Sequence, residues 1–190
     1  TLHTIGKYAF QSCTELEYVN LEEIGNSIIK LDYACFDNCP KLLFNTLSFP
    51  NLTLLAEGVF RAKKLNQVLN LGTIGNIPNN GFRDCTILSK IVLPETLYQI
   101  GDAAFYGDTS LTDINLSGNS SIQIISSNAF AGCTSLEIDD LSLPNLTSIG
   151  WASLDGVKVS KISNLGSITV FPRCLKINNA QNTIKEVILP

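Results

Sequence analysis

The 190-residue sequence has one histidine, one tryptophan and no concentrated run of charge. Its 13 Lys and Arg residues are scattered and the formal net charge is −4. Phosphate binding needs a clustered basic face, so this composition argues against a nucleic-acid partner. No stretch approaches the roughly 18 consecutive apolar residues of a membrane-spanning helix, and no basic start followed by an apolar run indicates a signal peptide. We therefore expect neither nucleic-acid binding nor membrane insertion.

Catalytic motifs are also scarce. A Ser-His-Asp or Cys-His site needs a histidine held by a third group, and the only histidine, His3, stands in an incomplete repeat. Asp139 and Asp140 fall within a predicted strand, where adjacent side chains point to opposite faces and cannot share a proton. Cys35 and Cys39 are too few for a structural zinc site, and no histidine stands near them. The sequence predicts no catalytic, metal or cofactor site; a hydrolase that uses His3 is the remaining enzymatic alternative.

A phenylalanine recurs along the chain at intervals of 26, 24, 22, 23 and 25 residues. These anchor residues are Phe10, Phe36, Phe60, Phe82, Phe105 and Phe130, and the series continues at Leu154 and near Leu175. Four of these phenylalanines stand in the pattern Phe-x-x-Cys-x-x-Leu. The fullest form of the unit is an Ile-Gly or Ile-Pro pair, then Ala-Phe-x-x-Cys-x-x-Leu, then Val-x-Leu. A fixed period of this length indicates a stacked repeat array. The chain holds about eight such units of 22–26 residues.

Each unit combines two hydrophobic periods. In the first unit, Phe10, Cys13 and Leu16 fit one face of a short helix, whereas Val19 and Leu21 alternate as in a half-buried strand. Elements this short cannot bury their apolar sides alone, so the units must stack on one another. We predict an α/β solenoid of about eight strand-plus-short-helix turns, which forms a single domain over residues 1–190.

A longer period is superimposed on the short one. Moving residues 36–74 forward by 94 positions matches PNLT at 50–53 to the same letters at 144–147, and NLG at 70–72 to NLG at 164–166. Four units therefore form a super-repeat of about 94 residues, which indicates that a four-unit block was duplicated.

The pattern Ile-Gly-x-x-Ala-Phe-x-x-Cys-x-x-Leu-x-x-Ile-x-Leu-Pro resembles the BspA-like leucine-rich repeat. TSIGWASL at 147–154 and NAFAGCTSLE at 128–137 are especially similar to it, and the resemblance spans nearly the whole chain. It implies a leucine-rich repeat solenoid that is secreted or displayed on a cell surface. Several members of that family are implicated in adhesion to host matrix proteins or to other cells. The motif itself indicates a fold and no activity, because repeat arrays serve many partners.

The cysteines follow the repeat. Four of the six share one slot, three residues after the anchor: Cys13, Cys39, Cys85 and Cys133. Free cysteine commonly packs as a small buried side chain, and we expect free thiols in this slot. Cys35 and Cys174 stand outside it and are expected to be the more reactive thiols.

Stacked strands place their outward side chains on one continuous surface, here called the strand face. The residues predicted to line it are Tyr18, Asn20, Thr46, Ser48, Lys90, Val92, Asp113, Asn115, Asp140, Ser142, Glu186 and Ile188. The third and seventh units stay ambiguous, because Leu65, Val68 and Leu71 can be registered two ways. Trp151 follows an Ile-Gly pair and is a further candidate, since aromatic residues are enriched at interface hot spots. The alternative for Trp151 is packing between neighbouring turns.

The expected function is a non-catalytic binding or adhesion module, outside the cell or at its surface, that presents the strand face to a protein or glycan. The alternative is a passive spacer or stalk that carries another domain. Neither end of the sequence shows the polar cap that repeat arrays need, and an exposed strand edge invites pairing. We therefore expect either a longer natural array, of which this chain is a fragment, or end-to-end self-association.

Overall fold

The computed structural model describes residues 1–61, 63–173 and 184–188. The chain winds into a solenoid, and the second to seventh coils follow the same path: a two-residue strand, a series of tight turns and a second strand. The solenoid predicted from the repeats is confirmed. Leu175, the expected eighth anchor, and Cys174 lie outside the described residues.

The first row of strands contains the Ile-Gly end of each repeat. Its members are β1 (Thr4–Ile5), β2 (Lys30–Leu31), β4 (Leu54–Leu55), β6 (Asn76–Ile77), β8 (Gln99–Ile100), β10 (Ile124–Ile125) and β12 (Ser148–Ile149). They form two parallel sheets, with orders β1-β2-β4 and β6-β8-β10-β12. In each strand the second residue is buried, so this row covers one side of the core.

The second row of strands follows the turns of each coil. Its members are β3 (Leu43–Ser48), β5 (Lys64–Asn70), β7 (Lys90–Ile91), β9 (Asp113–Ile114), β11 (Glu137–Ser142), β13 (Lys158–Asn164) and β14 (Glu186–Val187). They form two further parallel sheets, with orders β3-β5-β7-β9 and β11-β13-β14. The strand face is the outer side of this row.

The 94-residue period is visible in the strands themselves. Strand β11 lies 94 positions after β3, and β13 lies 94 positions after β5. These four strands are longer than their neighbours. The register of β3 with β5 shifts after Leu47, and that of β11 with β13 shifts at the equivalent position, after Leu141. The two halves of the array therefore share irregular as well as regular features.

The predicted short helix of each unit takes the form of successive turns. Two residues before the anchor and again two after it, the backbone enters the left-handed region, as at Tyr8 (φ 55°) and Ser12 (φ 59°). A residue in this region ends a helix, and non-glycine residues adopt it rarely. The Gln11 and Cys13 amides donate to the carbonyls three residues back, those of Tyr8 and Phe10. The equivalent apolar residues of the second coil, Phe36, Cys39 and Leu42, are buried as predicted for the helix face, but no α-helix connects such residues in the coils that the structure describes. In the first coil Cys13 is exposed.

Hydrogen bonds to the next coil stabilise these turns. The amides of Tyr8, Phe10 and Ser12 donate across the coil boundary, and the Phe10 amide reaches the carbonyl of Cys35 at 2.9 Å. The same alternation recurs in the fifth coil, where the Phe105 amide donates to the next coil at 2.8 Å. A continuous helix would direct these donors along its own axis, so the inter-coil bonds select the turn conformation.

The first unit differs from its prediction in a second way. Val19 and Leu21 were expected in a strand, but the chain forms a short helix, α1 (Leu21–Ile24), followed by a 3-10 turn at Gly25–Ser27. Helix α1 lies beside β3, and the Glu22 carboxylate accepts a hydrogen bond from the Asn45 amide at 2.6 Å. An edge strand presents unpaired amides that invite pairing. The Glu22 carboxylate therefore satisfies one amide of β3 that would otherwise be unpaired.

Stacked phenylalanine rings run through the core. Phe82 lies between Phe60 and Phe105, at 5.4 Å from each ring centroid and with interplanar angles of 11° and 2°. Phe105 and Phe130 stack at 5.0 Å. All four side chains are fully buried. These four anchor residues therefore form one continuous column, and Phe44 connects it to Phe36.

The glycine of the Ile-Gly pair has a steric explanation. A Cβ atom at Gly150 would lie 2.3 Å from the Ser127 nitrogen of the preceding coil, and one at Gly101 would lie 2.7 Å from the Asn79 nitrogen. Side chains cannot fit at such distances, so in these two coils the glycine marks a close approach of successive backbones. Gly6 of the first coil has open space around it.

Candidate functional site

The structure brings several predicted strand-face residues into one row. Thr46 of β3 pairs with Gln67 of β5, Gln67 pairs with Lys90 of β7, and Lys90 pairs with Asp113 of β9. Neighbouring strands lie about 4.8 Å apart, so the row is a regular ladder of side chains. Lys90 and Asp113 form an ion pair at 2.6 Å, with both side chains more than a third exposed.

The second sheet carries an equivalent row. Asp140 of β11 pairs with Lys161 of β13, and Lys161 pairs with Glu186 of β14. Lys161 and Glu186 form an ion pair at 3.2 Å. The strand face thus presents alternating charges on both sheets. Asp140 belongs to a different sheet from Lys90 and Asp113.

Tyr18 and Asn20 lie in the segment that leads into α1. The Tyr18 side chain is 60% exposed, and its hydroxyl donates to the Glu23 carboxylate at 2.8 Å. This hydrogen bond raises the pKa of Tyr18 above its ordinary value. The ring is held in place yet accessible, which is the property required of an aromatic contact residue.

Asn115 pairs with the main chain of the neighbouring coil. Its Oδ1 accepts from the Leu93 amide at 2.7 Å, and its Nδ2 donates to the Leu93 carbonyl at 3.0 Å. One side-chain amide therefore continues the ladder just beyond β9 and β7. The structure gives Asn115 a role in joining coils.

Trp151 lies apart from the strand face. It is separated from β12 by Gly150 and occupies the position three residues before the anchor Leu154, on the turn side of its coil. Its side chain is 55% exposed, so most of its surface is available rather than buried between coils. The structure does not bring Trp151 together with Thr46, Lys90 or Asp113.

The sequence prediction missed the strand-face residues of β5 and β13, the strands of the third and seventh units. Gln67 completes the Thr46–Lys90 row, and Lys158 pairs with Glu137 at 2.6 Å. Lys158 lowers the pKa of Glu137. These strands bury every third residue, as Leu65 and Val68 do in β5, so the period-two pattern could not fix their register. The match of residues 64–70 to residues 158–164 was the signal that they form equivalent strands.

The cysteine slot has a hydrogen-bonding role. The thiols of Cys39, Cys85 and Cys133 each donate to the carbonyl of the anchor phenylalanine one coil earlier, at 3.0, 2.8 and 3.0 Å. These three side chains are buried and free, as expected, whereas Cys13 is exposed. Burial also raises the pKa of Cys35 to about 12. The expectation that Cys35 is a reactive thiol is therefore wrong, because reactivity requires the thiolate.

Asp108 occupies the cysteine slot of the fifth coil. Its side chain is fully buried, and its Oδ1 accepts from the Cys85 amide at 2.8 Å. Its Oδ2 has no hydrogen-bond partner. Burial raises the pKa of Asp108 to about 9, so the carboxyl is protonated at neutral pH. When protonated, Oδ2 supplies an O–H donor in place of the S–H donor of the cysteines. Those thiols bond to the carbonyl of the anchor one coil earlier, so the repeat predicts the Phe82 carbonyl as the acceptor for Asp108.

Candidates for catalysis and metal binding are few among the described residues. His3 lies at the surface, with Nδ1 at 2.9 Å from the Ser27 carbonyl. Within the described ranges, no three His, Cys, Asp or Glu side chains cluster closely enough to hold a metal ion. None of the helices in the same part of the chain has the length and apolar character needed to cross a membrane.

Comparison with known proteins gives one family and two related structures. A family profile described as a BspA type leucine rich repeat region matches residues 1–71 and 53–180, in six copies. A leucine-rich repeat protein from Bacteroides ovatus is 22% identical with a TM-score of 0.47, over 98% of this chain and 54% of that one. A leucine rich cell surface protein from Faecalibacterium prausnitzii is 18% identical with a TM-score of 0.43, over 98% of this chain and 69% of that one. The chain thus spans about half of the Bacteroides protein. No curated protein matches.

Proposed function

The chain belongs to the BspA-type leucine-rich repeat family, and we propose that it is a non-catalytic recognition module. It presents its strand face to a protein or glycan, outside the cell or at the cell surface. The observation that carries this proposal is the Thr46–Gln67–Lys90–Asp113 row. Four parallel strands hold these side chains in a fixed order, so a partner meets a surface that is already organised.

Preorganisation matters because association loses free energy whenever side chains and loops must be ordered. The ladder has little left to order, since its backbone is hydrogen-bonded from coil to coil. The exposed ion pairs Lys90–Asp113 and Lys161–Glu186 supply alternating charge. Exposed charges of this kind direct which partner binds and how fast, more than they increase affinity. Tyr18 adds an exposed aromatic ring beside the first strand of the ladder.

The proposal is tested by a binding screen of the purified chain against extracellular matrix proteins, mucins, host-cell surfaces and glycan arrays. A variant in which alanine replaces Tyr18, Lys90, Asp113 and Asp140 is screened in parallel. We expect saturable binding in the wild type and a loss of at least about tenfold in affinity in the variant. Surface plasmon resonance on each hit provides the affinities.

The matched control removes a comparable ion pair elsewhere. Lys41 and Glu15 interact at 2.5 Å and are both exposed. Replacing both by alanine removes one exposed ion pair and leaves the ladder unchanged. Exposed pairs contribute at most about 1 kcal/mol to stability, and thermal unfolding should confirm that both variants stay folded. A partner that binds the quadruple variant as tightly as the wild type would remove the strand face from the proposal. Absence of any saturable hit would favour the spacer alternative.

A further inference from the structure

A groove lies on the turn side of the first four coils. It has a volume of about 180 Å³. Its aromatic and polar lining consists of Tyr8, Tyr33, Asp37, Glu57, Arg61 and Asn80, among other residues. None of these residues belongs to β3, β5, β7 or β9, so the groove is separate from the strand face.

Two tyrosine rings form one wall of the groove. Tyr8 and Tyr33 meet edge to face, with ring centroids 5.5 Å apart and an interplanar angle of 76°. Both side chains are exposed, at 49% and 41%. Aromatic pairs of this geometry attract each other, so each ring restricts the movement of the other. The pair offers two ring faces at nearly a right angle, each bordered by a phenol hydroxyl.

Fixed polar groups form the rest of the groove. Arg61 donates to the Asp37 carboxylate at 2.9 Å, and the Asn80 amide donates to Glu57 Oε1 at 3.1 Å. Arg83 in turn donates to Asn80 Oδ1 at 3.3 Å, which orients the asparagine. Each carboxylate keeps further lone pairs for a ligand, since an ionised carboxylate accepts about four hydrogen bonds.

We propose that this groove binds a saccharide, with one sugar ring seated against Tyr33 and Tyr8. The C–H groups on one face of a pyranose carry slight positive charge and pack against the negative face of an aromatic ring. Neighbouring sugar hydroxyls are donors and acceptors a short distance apart, which Asp37, Glu57 and Arg61 can engage in pairs. The volume is below the roughly 300–1,000 Å³ of sites for drug-sized ligands, which fits a single ring and leaves the rest of a glycan outside.

A proline-rich peptide is the competing occupant, because such segments also bind aromatic grooves. Peptide grooves of that kind bind an extended, largely apolar ligand. Here two carboxylates, an arginine and an asparagine amide surround one aromatic corner, and each is already held by a neighbour. That density of oriented polar groups around a small volume matches the hydroxyl pattern of a sugar.

The test uses methyl glycosides of glucose, galactose, mannose, fucose and N-acetylglucosamine, followed by a glycan array that carries the same terminal sugars. Binding is measured by calorimetry and by NMR shifts of tyrosine ring protons on the intact chain. We expect at least one sugar to bind and to shift the Tyr8 and Tyr33 ring signals. Tyr33→Ala should weaken that binding by at least about tenfold, and Glu57→Gln should weaken it while preserving the fold.

Tyr98→Ala is the matched control, because Tyr98 is similarly exposed but lies outside the groove; binding should be unchanged. The strand-face quadruple variant should also keep its sugar affinity, so failure of the strand-face proposal and failure of this one give different results. The saccharide proposal is overturned if no glycan binds, if Tyr33→Ala binds as tightly as wild type, or if a proline-rich peptide alone shifts the two rings.

Discussion

Replacing Asp108 by asparagine should raise the free energy of unfolding at neutral and alkaline pH. The asparagine Oδ1 can still accept from the Cys85 amide, as Asp108 does at 2.8 Å. At the position of Oδ2, its Nδ2 supplies a permanent donor for the Phe82 carbonyl, the acceptor that the equivalent thiol bonds predict. The substitution therefore keeps the shape of the side chain and removes the ionisation that burial opposes.

The sign of the pH dependence follows from the two pKa values of Asp108. The pKa is about 9 in the folded chain and 3.8 for an unperturbed aspartate, so the folded state holds the proton over this interval while the unfolded state releases it. Stability contributed by this group is full below about pH 4 and falls as the pH rises toward 9. At pH 7 the loss amounts to about 4 kcal/mol. Asp108→Asn should recover an amount of that order.

Denaturant unfolding between pH 4 and pH 9 measures this effect directly. Asp108→Cys is the companion variant, because the chain itself uses a thiol in the equivalent slot at Cys85 and Cys133. Both variants should flatten the decline in stability that the wild type shows. An asparagine variant that is less stable than wild type at pH 8 would contradict a protonated Asp108.

Truncating Phe82 to alanine should cost about 3–5 kcal/mol, the usual range for a large buried aromatic side chain. Phe82 is fully buried and stacks on both neighbouring anchors, so the cavity would interrupt the column in the middle of the array. Each coil contacts only its neighbours, and the loss should therefore act locally. Hydrogen exchange should show lost protection in the third to fifth coils.

Phe171→Ala provides the comparison for Phe82. The Phe171 side chain is 44% exposed, so its truncation should change stability by no more than about 0.5 kcal/mol. Coils distant from Phe82, such as the one anchored by Phe10, should keep their protection in the Phe82 variant. Uniform loss of protection along the whole array would instead indicate a single cooperative unit.

Much of this architecture could be read from the sequence. The spacing of Phe10, Phe36 and the later anchors predicted the solenoid, because a fixed period forces equivalent packing. The helix within each unit could not be predicted correctly. Tyr8 and Ala34 adopt left-handed backbone conformations that neither residue type prefers on its own. Inter-coil hydrogen bonds impose this conformation, and a local sequence pattern does not contain them.

The candidate sites, too, could be predicted only in part. Lys90 and Asp113 stand in short strands with a clear alternation, and they were placed correctly on one ladder. Gln67 was missed because its strand buries every third residue. The tyrosine groove was missed for another reason: Tyr8 stands two residues before its anchor and Tyr33 three before its own. Residues at different repeat positions give no periodic signal, although folding brings their rings into contact.

The inter-coil hydrogen bonds also determine how the array responds to mechanical force. Bonds such as the one from the Phe105 amide to the next coil join successive coils and therefore run along the axis of the solenoid. A pull along that axis loads every coil boundary with the same force, so the boundary with the weakest contacts opens first. Because each coil contacts only its neighbours, the array then lengthens one coil at a time.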